Sequence, residues 1–163
     1  MARLAERSAA AGLLPREIGR VRLSEVESGP VFTVAPFRGR EGAAGDALGG
    51  LGLSMPGPGE VIVAEGGARA TWVAPGRALV FGRPPEGLAG QAAVTDQTGA
   101  QVVVRIEGPG EAVLARLCPV DLREAALGEG RTVRTLLGHM TVSVSRIGGA
   151  LEVMPSATRI VAV

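Results

Sequence analysis

The sequence predicts an α+β fold made of two related halves, each with strands, a short helix and a three-strand meander. Three observations point there. Short β-branched runs recur along the chain, two brief helical patterns interrupt them, and the pattern repeats at a nearly fixed interval. Val31 and Val102 begin comparable strands and Gly59 and Gly130 precede comparable strands, both pairs separated by 71 positions (102 − 31 and 130 − 59); Leu79 and Leu151 are 72 apart (151 − 79). Neither half alone covers both sides of a sheet, so the halves are expected to pack on one another. Residues 1–20 read as an N-terminal arm and residues 21–163 as one domain, with halves of about 21–90 and 91–163.

The elements follow in order. Runs rich in Val, Ile and Thr at 21–26, 31–34, 61–64, 70–73 and 78–81 read as strands. Between the last two, Pro75-Gly76-Arg77 supplies a hairpin turn, because Pro presets φ and Gly accepts a positive one. Within 42–51 the spacing of Ala44, Leu48 and Leu51 places one apolar face on a short helix, although its glycines lower helix propensity. The second half repeats this with strands at 92–95, 101–107, 131–136, 141–146 and 150–153. Its helix, at 110–118, is expected to carry Val113, Leu114 and Leu117 inward.

Composition restricts the function. At 163 residues and 46% hydrophobic, the chain buries a real core, but aromatics are only 2%. Val, Leu, Ile and Ala must therefore fill it, with Trp72, Phe32, Phe37 and Phe81 as the few large pieces. All 17 basic residues are Arg, scattered from Arg3 to Arg159, and the net charge is +1, so there is neither a basic stripe nor an aromatic platform for nucleic acid. One cysteine, Cys118, excludes an internal disulfide, and one histidine, His139, excludes the usual His/Cys zinc clusters. The opening MARLAERSAAAGLLPREIGRV has its short apolar run broken by Pro15, which does not suit a signal peptide, and no run approaches a membrane span. A cytoplasmic protein with no membrane or nucleic-acid partner is expected.

Catalytic motifs are missing. Gly50-Leu51-Gly52, Gly57-Pro58-Gly59, Gly108-Pro109-Gly110 and Gly128-Glu129-Gly130 lack the third glycine of a dinucleotide fingerprint, and a chain without lysine has no Walker P-loop. No Gly-x-Ser-x-Gly accompanies His139, which lies between two strands and reads as a turn or subunit contact rather than a proton carrier. Asp96 and Asp121 would form an acid–base pair only if placed across a cleft; each sits at an element boundary, where Asp commonly caps nearby amides. Arg134 could grip a carboxylate in bidentate fashion or sit in an ordinary ion pair. Trp72 suits the core or the anchor of an interface. Leu4, Leu13, Leu14 and Ile18 make the arm a candidate to lie across a partner or to form a tail.

One combination of residues is more specific. Asp96-Gln97, the strand ending in Gly108-Pro109-Gly110, the helix into Leu117, Asp121-Leu122, and Arg134-Thr135-Leu136 leading to His139-Met140 follow an order that resembles the gamma subunit of heterotetrameric sarcosine oxidase. The resemblance runs from about Leu4 through Leu51-Gly52-Leu53-Ser54-Met55-Pro56 and Trp72 to Met154, and falls off after Arg146. Family members usually end in a closing helix; here Arg159-Ile160-Val161-Ala162-Val163 reads as a short β-like tail.

The resemblance implies a fold similar to the folate-binding domain of glycine-cleavage aminomethyltransferases, two related α+β subdomains that share strands. It also implies a subunit of an oxidoreductase, without catalytic residues of its own, that packs against an alpha subunit beside beta and delta subunits. That enzyme oxidatively demethylates sarcosine to glycine, and its FAD, FMN, NAD and tetrahydrofolate belong to the assembly, none being bound by this chain alone. Arg134, His139, Trp72 and Asp96 are then candidate contacts to a partner or to the folate path. The rival readings are a stand-alone folate-binding protein and a ligand-sensing or scaffold module.

Overall fold

The computed structural model describes Ser8 and residues 10–155. The expected β-like tail and part of the arm, including Leu4, lie outside the described residues. In order the elements are β1 (Arg16–Ile18), β2 (Val21–Glu25), β3 (Val31–Pro36), α1 (Glu41–Leu48) with a 3₁₀ turn (Gly49–Leu51), β4 (Val61–Val63), β5 (Arg69–Ala74), β6 (Arg77–Phe81), β7 (Ala92–Asp96), β8 (Val104–Glu107), α2 (Gly110–Leu114), β9 (Arg131–Leu137), β10 (Met140–Ile147) and β11 (Ala150–Pro155). Strands dominate and helices are few and short.

These strands form two antiparallel sheets, a six-stranded one ordered β1-β2-β8-β11-β10-β9 and a five-stranded one ordered β4-β5-β6-β3-β7. The same motif occurs in both. A strand is followed by a helix and a meander, and the first strand pairs with the last of the meander: β3 with β6, and β8 with β11. The leading strands are exchanged. β2, which precedes β3 in the chain, pairs with β8 of the six-stranded sheet, whereas β7, which precedes β8, pairs with β3 of the five-stranded sheet.

Each sheet has an outer core of its own. Ala44 and Leu48 of α1, both fully buried, pack with Val34, Ala70 and Val80 of the five-stranded sheet. Leu114 and Cys118 pack with Ile106, Val142, Val144, Leu151 and Val153 of the six-stranded sheet. A third cluster, Val31, Leu79 and Phe81 with Val103 and Met154, joins the inner faces. The molecule is thus four layers, helix, sheet, sheet, helix. Strand alternation directs this arrangement: Val142 and Val144 face the helix, and Ser143 lies on the opposite face of the strand.

Some expectations need correction. In α2 the buried set is Gly110, Leu114 and, past the helix end, Cys118, while Val113 and Leu117 are 49% and 52% exposed. That i, i+4 spacing selects a face one residue round from the expected one. Gly110 is needed on it, because an added Cβ would meet Ile106 Cγ2 at 2.6 Å. Phe37 is 47% exposed and fills no core, since it falls just beyond the end of β3. The strand foreseen at 101–107 enters its ladder only at Val104, although Val102 and Val103 are buried. Arg16–Ile18, within the expected arm, joins the six-stranded sheet as its edge.

Two features bind the sheets together. At the junction of β4 and β9, Val61 N–H donates to the Gly130 carbonyl (2.8 Å) and Thr132 N–H to the Gly59 carbonyl (3.0 Å), around a bridge between Glu60 and Arg131. Both glycines have positive φ and are crowded by the opposing backbone: a Cβ on Gly59 would lie 3.1 Å from Thr132 O, and one on Gly130 3.3 Å from Val61 O. Deeper, buried Glu152 of β11 accepts from buried Arg69 of β5 and from Arg105 of β8, the latter at 3.0 Å. Arg69 also lies over the Phe81 ring, 4.0 Å from its centroid.

Removing the carboxylate strands two guanidinium groups, one of them buried, and breaking such an arrangement from one side costs about 3–5 kcal/mol. Glu152→Leu should therefore lower unfolding stability by about that amount in urea titrations. The triple variant with Arg69→Met and Arg105→Met added should recover most of the loss.

Candidate functional site

Of the candidate residues, Arg134 alone lines a cavity between the two inner faces, with a volume of about 280 Å³. β9 and β10 of one sheet bring Arg134 and Ser143 to it, β3 and β6 of the other bring Thr33 and Arg77, and the loop after β7 brings Gln97 and Gln101. Arg134 reaches across the gap, donating from Nη1 to the carbonyl of Val73 on β5 at 3.3 Å. Arg134 and Ser143 are direct cross-strand partners, so strand register fixes the guanidinium at the mouth.

No acidic side chain lines this cavity. It continues into a second of about 280 Å³ that shares Thr33, Arg77 and Gln97 and is walled by Ala35, Ala93 and Thr95. Beyond Gln101 lies a further cavity of about 590 Å³, which Glu25 and Glu27 line. The amide oxygen of Gln101 is buried without a donor, as are Oε1 of Gln91 and Oγ1 of Thr135.

The remaining sequence candidates do not converge here. Trp72 is half-buried on β5, its backbone N–H bonded to the Glu60 carbonyl at 3.0 Å, one residue from the Val73 carbonyl that Arg134 holds. Asp96 is exposed at the end of β7; its Oδ1 accepts from Thr98 N–H at 2.8 Å, and the Thr98 side chain and amide hold its carboxyl below the usual range. His139 is exposed in the two-residue turn Gly138-His139 between β9 and β10, where its imidazole makes no hydrogen bond or ion pair. Gly138 there donates to the Leu117 carbonyl at 3.0 Å, tying the hairpin tip to the end of the α2 segment.

Asp121 lies after α2, far along the chain from Asp96 and on the other sheet's side. Its carboxylate accepts from the backbone and guanidinium of Arg123, at 2.6 Å for the shortest contact, and these bonds lower its pKa to about 2. Burial pushes the Cys118 thiol up, as befits a packed side chain rather than a nucleophile. Among the described residues, no three His, Cys, Asp or Glu side chains group to hold a metal, and no helix is long and apolar enough to cross a membrane. Of the cavity's polar residues, sequence reading finds Arg134 but not Arg77, Gln97 or Gln101. Arg77 was visible only as the end of a turn, and no local pattern signals convergence across two sheets.

No family model matches the chain. It is 30% identical over 141 residues to a protein named sarcosine oxidase subunit gamma from Arthrobacter sp., a match spanning 80% of this chain and 69% of that protein. Its structure is similar to a chain of the heterotetrameric sarcosine oxidase from Corynebacterium sp. U-96 in complex with pyrrole 2-carboxylate. There the TM-score is 0.76 at 26% identity, over 91% of this chain and 86% of that one.

The Asp121 carboxyl should titrate near pH 2 by NMR, and Arg123→Ala should return it toward the ordinary aspartate value of about 3.9. Because the folded pKa is depressed, the stabilising contribution of this group is present above its unfolded pKa and disappears as pH falls through about 2. A wild-type titration at the ordinary value would contradict the contact.

Proposed function

The chain belongs to the sarcosine oxidase gamma-subunit family, and from that premise we propose that it is a non-catalytic subunit of a heterotetrameric sarcosine oxidase, packed against the alpha subunit and accompanied by beta and delta subunits. In this reading the assembly oxidatively demethylates sarcosine to glycine in the cytoplasm, and its FAD, FMN, NAD and tetrahydrofolate are held by the other subunits. The chain itself would be one domain, residues 21–163, of the aminomethyltransferase folate-domain type, with an arm, residues 1–20, whose Arg16–Ile18 adds an edge strand to the six-stranded sheet. Its contribution is fixed geometry and burial of apolar surface beside the route by which the one-carbon product reaches folate.

What supports the reading is 30% identity to a protein named sarcosine oxidase subunit gamma over 80% of this chain. A general acid–base pair needs two titratable groups within reach of one substrate. Here Asp96 and Asp121 each cap their own loop, and His139 stands unpartnered at a hairpin tip. Arg134, which holds the Val73 carbonyl at the inter-sheet cavity, is the better candidate for a partner or folate-path contact, with Trp72, Asp96 and His139 at greater remove.

Co-expression with the alpha, beta and delta subunits, followed by affinity purification and a sarcosine-dependent peroxide assay, tests this. Stoichiometric recovery of the chain, with assembly or activity lost on its omission, is the expected result. A chain that purifies alone, leaves the activity of the other three unchanged and binds a folate as a monomer would replace the subunit reading with that of a small folate-binding protein.

A further inference from the structure

The two sheets repeat one another strand for strand, except at one edge. β2 and β7 begin 71 residues apart (92 − 21), and the positive-φ glycines just before them, Gly19 and Gly90, keep the same interval (90 − 19). Leu23 and Val94, again 71 apart (94 − 23), lie opposite Ile106 and Val34, each of which faces the helix of its own sheet. In the first half, the chain ahead of the glycine forms β1, which pairs antiparallel with β2 as a sixth strand. In the second half the equivalent stretch, Gly87-Leu88-Ala89, turns inward. Leu88 is buried in the core beneath α1, and its carbonyl accepts from Gln91 and Ala92 N–H. Among the described residues, nothing takes the place of β1 beside β7.

The edge left there is open and undefended. Gln97 N–H donates to the Val31 carbonyl at 2.7 Å and Phe37 N–H to the Gln91 carbonyl at 2.8 Å, so the odd-numbered residues of β7 bond to β3. The N–H and C=O of Val94 and Asp96, and the C=O of Ala92, therefore point away from the sheet. Edge strands are commonly blunted by charge, by proline or by a covering element. β1 follows Pro15 and carries Arg16 and Glu17, while β4 and β9 meet each other around the Glu60–Arg131 bridge. β7 reads AAVTD, with no proline and no bulge, four of its five residues exposed and a single charge at its end.

We propose that β7 pairs antiparallel with β7 of a second copy about a twofold axis at Val94, joining the two five-stranded sheets into one. An axis perpendicular to the sheet there gives the antiparallel sense that β1 has beside β2. Centred on Val94, the pairing uses the free groups of the whole strand. The two Val94 residues exchange hydrogen bonds and pack side chain on side chain, and the Ala92 carbonyl accepts from Asp96 N–H of the other copy. Asp96 then lies opposite Ala92, and no carboxylate faces another.

Charge agrees along the strand. Exposed Arg38 and Arg40 stand at the Gln91 end, where the Glu41 carboxylate is turned onto Gly39 N–H, whereas Asp96 stands at the other end with Glu27 near Thr98. An antiparallel copy sets the basic end of one chain against the acidic end of the other. Five residues a side are far fewer than the roughly 20–30 of a standard interface, so the dimer is weak and concentration-dependent. The inference goes beyond the subunit reading and does not rest on it.

Sedimentation equilibrium of the full chain at rising concentration is the test, and its average mass should climb from monomer toward dimer. Val94→Pro removes an outward N–H and no bond to β3, so it should hold the chain monomeric with an unchanged circular dichroism spectrum. Val94→Lys and Val94→Glu place like charges across the axis. Each alone should be monomeric, and an equimolar mixture of the two should dimerise again. A wild type still monomeric at about 1 mM, or a mixture that fails to associate, would overturn the proposal. So would Val94 variants that lose co-purification with the alpha subunit while the wild type alone never dimerises, since the strand accepted at β7 would then be the partner's. Failure of the subunit reading would show instead in the omission assay and would leave self-association unchanged.

Discussion

Glu152 receives a guanidinium from each of the two sheets, and the packing between them is organised around that contact. Its direct cross-strand neighbour is Arg105, so the six-stranded sheet supplies both the carboxylate and one cation. Arg69 comes from the other sheet and lies over Phe81, its own cross-strand partner. With aromatics scarce, the inner faces have little large apolar surface to bury, and the apolar cluster between them draws its bulk mainly from Phe81, Leu79 and Met154. Charge fills what hydrophobic volume would fill elsewhere. Such a contact is sensitive to geometry, because desolvated charges are favourable only when paired and hydrogen-bonded. It therefore holds the sheets in one relative position.

The exchange of leading strands adds a second constraint. β2 and β7 each complete the sheet of the other half, so pulling the halves apart would break main-chain ladders as well as the inter-sheet cluster. The paired hydrogen bonds at Gly59 and Gly130 sit where the two halves meet edge to edge, and each glycine leaves space that the other half's backbone occupies. The inter-sheet cavity exists because of this arrangement. β9 and β6 are distant in sequence and belong to different sheets, yet they place Arg134 and Arg77 at one opening.

Much of the fold was legible in the chain. Strand positions followed from β-branched runs, the 71-residue interval pointed to the repeated motif, and Ala44 and Leu48 marked the buried face of α1. The α2 face was not legible, because the short segment 110–118 offers two apolar faces and only the backbone approach at Gly110 decides between them. Phe37 misled for a similar reason: hydrophobicity does not reveal that a residue has just left the sheet. At the site, Arg134 stood out through its motif, whereas Arg77, Gln101 and the Glu152 triad depend on inter-sheet contacts that no window of sequence contains.

A subunit that acts by geometry is recognised by what it buries. Leu117, Val113, Met140 and Leu136 remain exposed. The most direct measurement is amide hydrogen exchange on this chain, alone and mixed with the alpha subunit. The subunit account predicts new protection along a continuous face of the chain on mixing, with the buried strands around Glu152 unchanged. Identical exchange in both samples would contradict it.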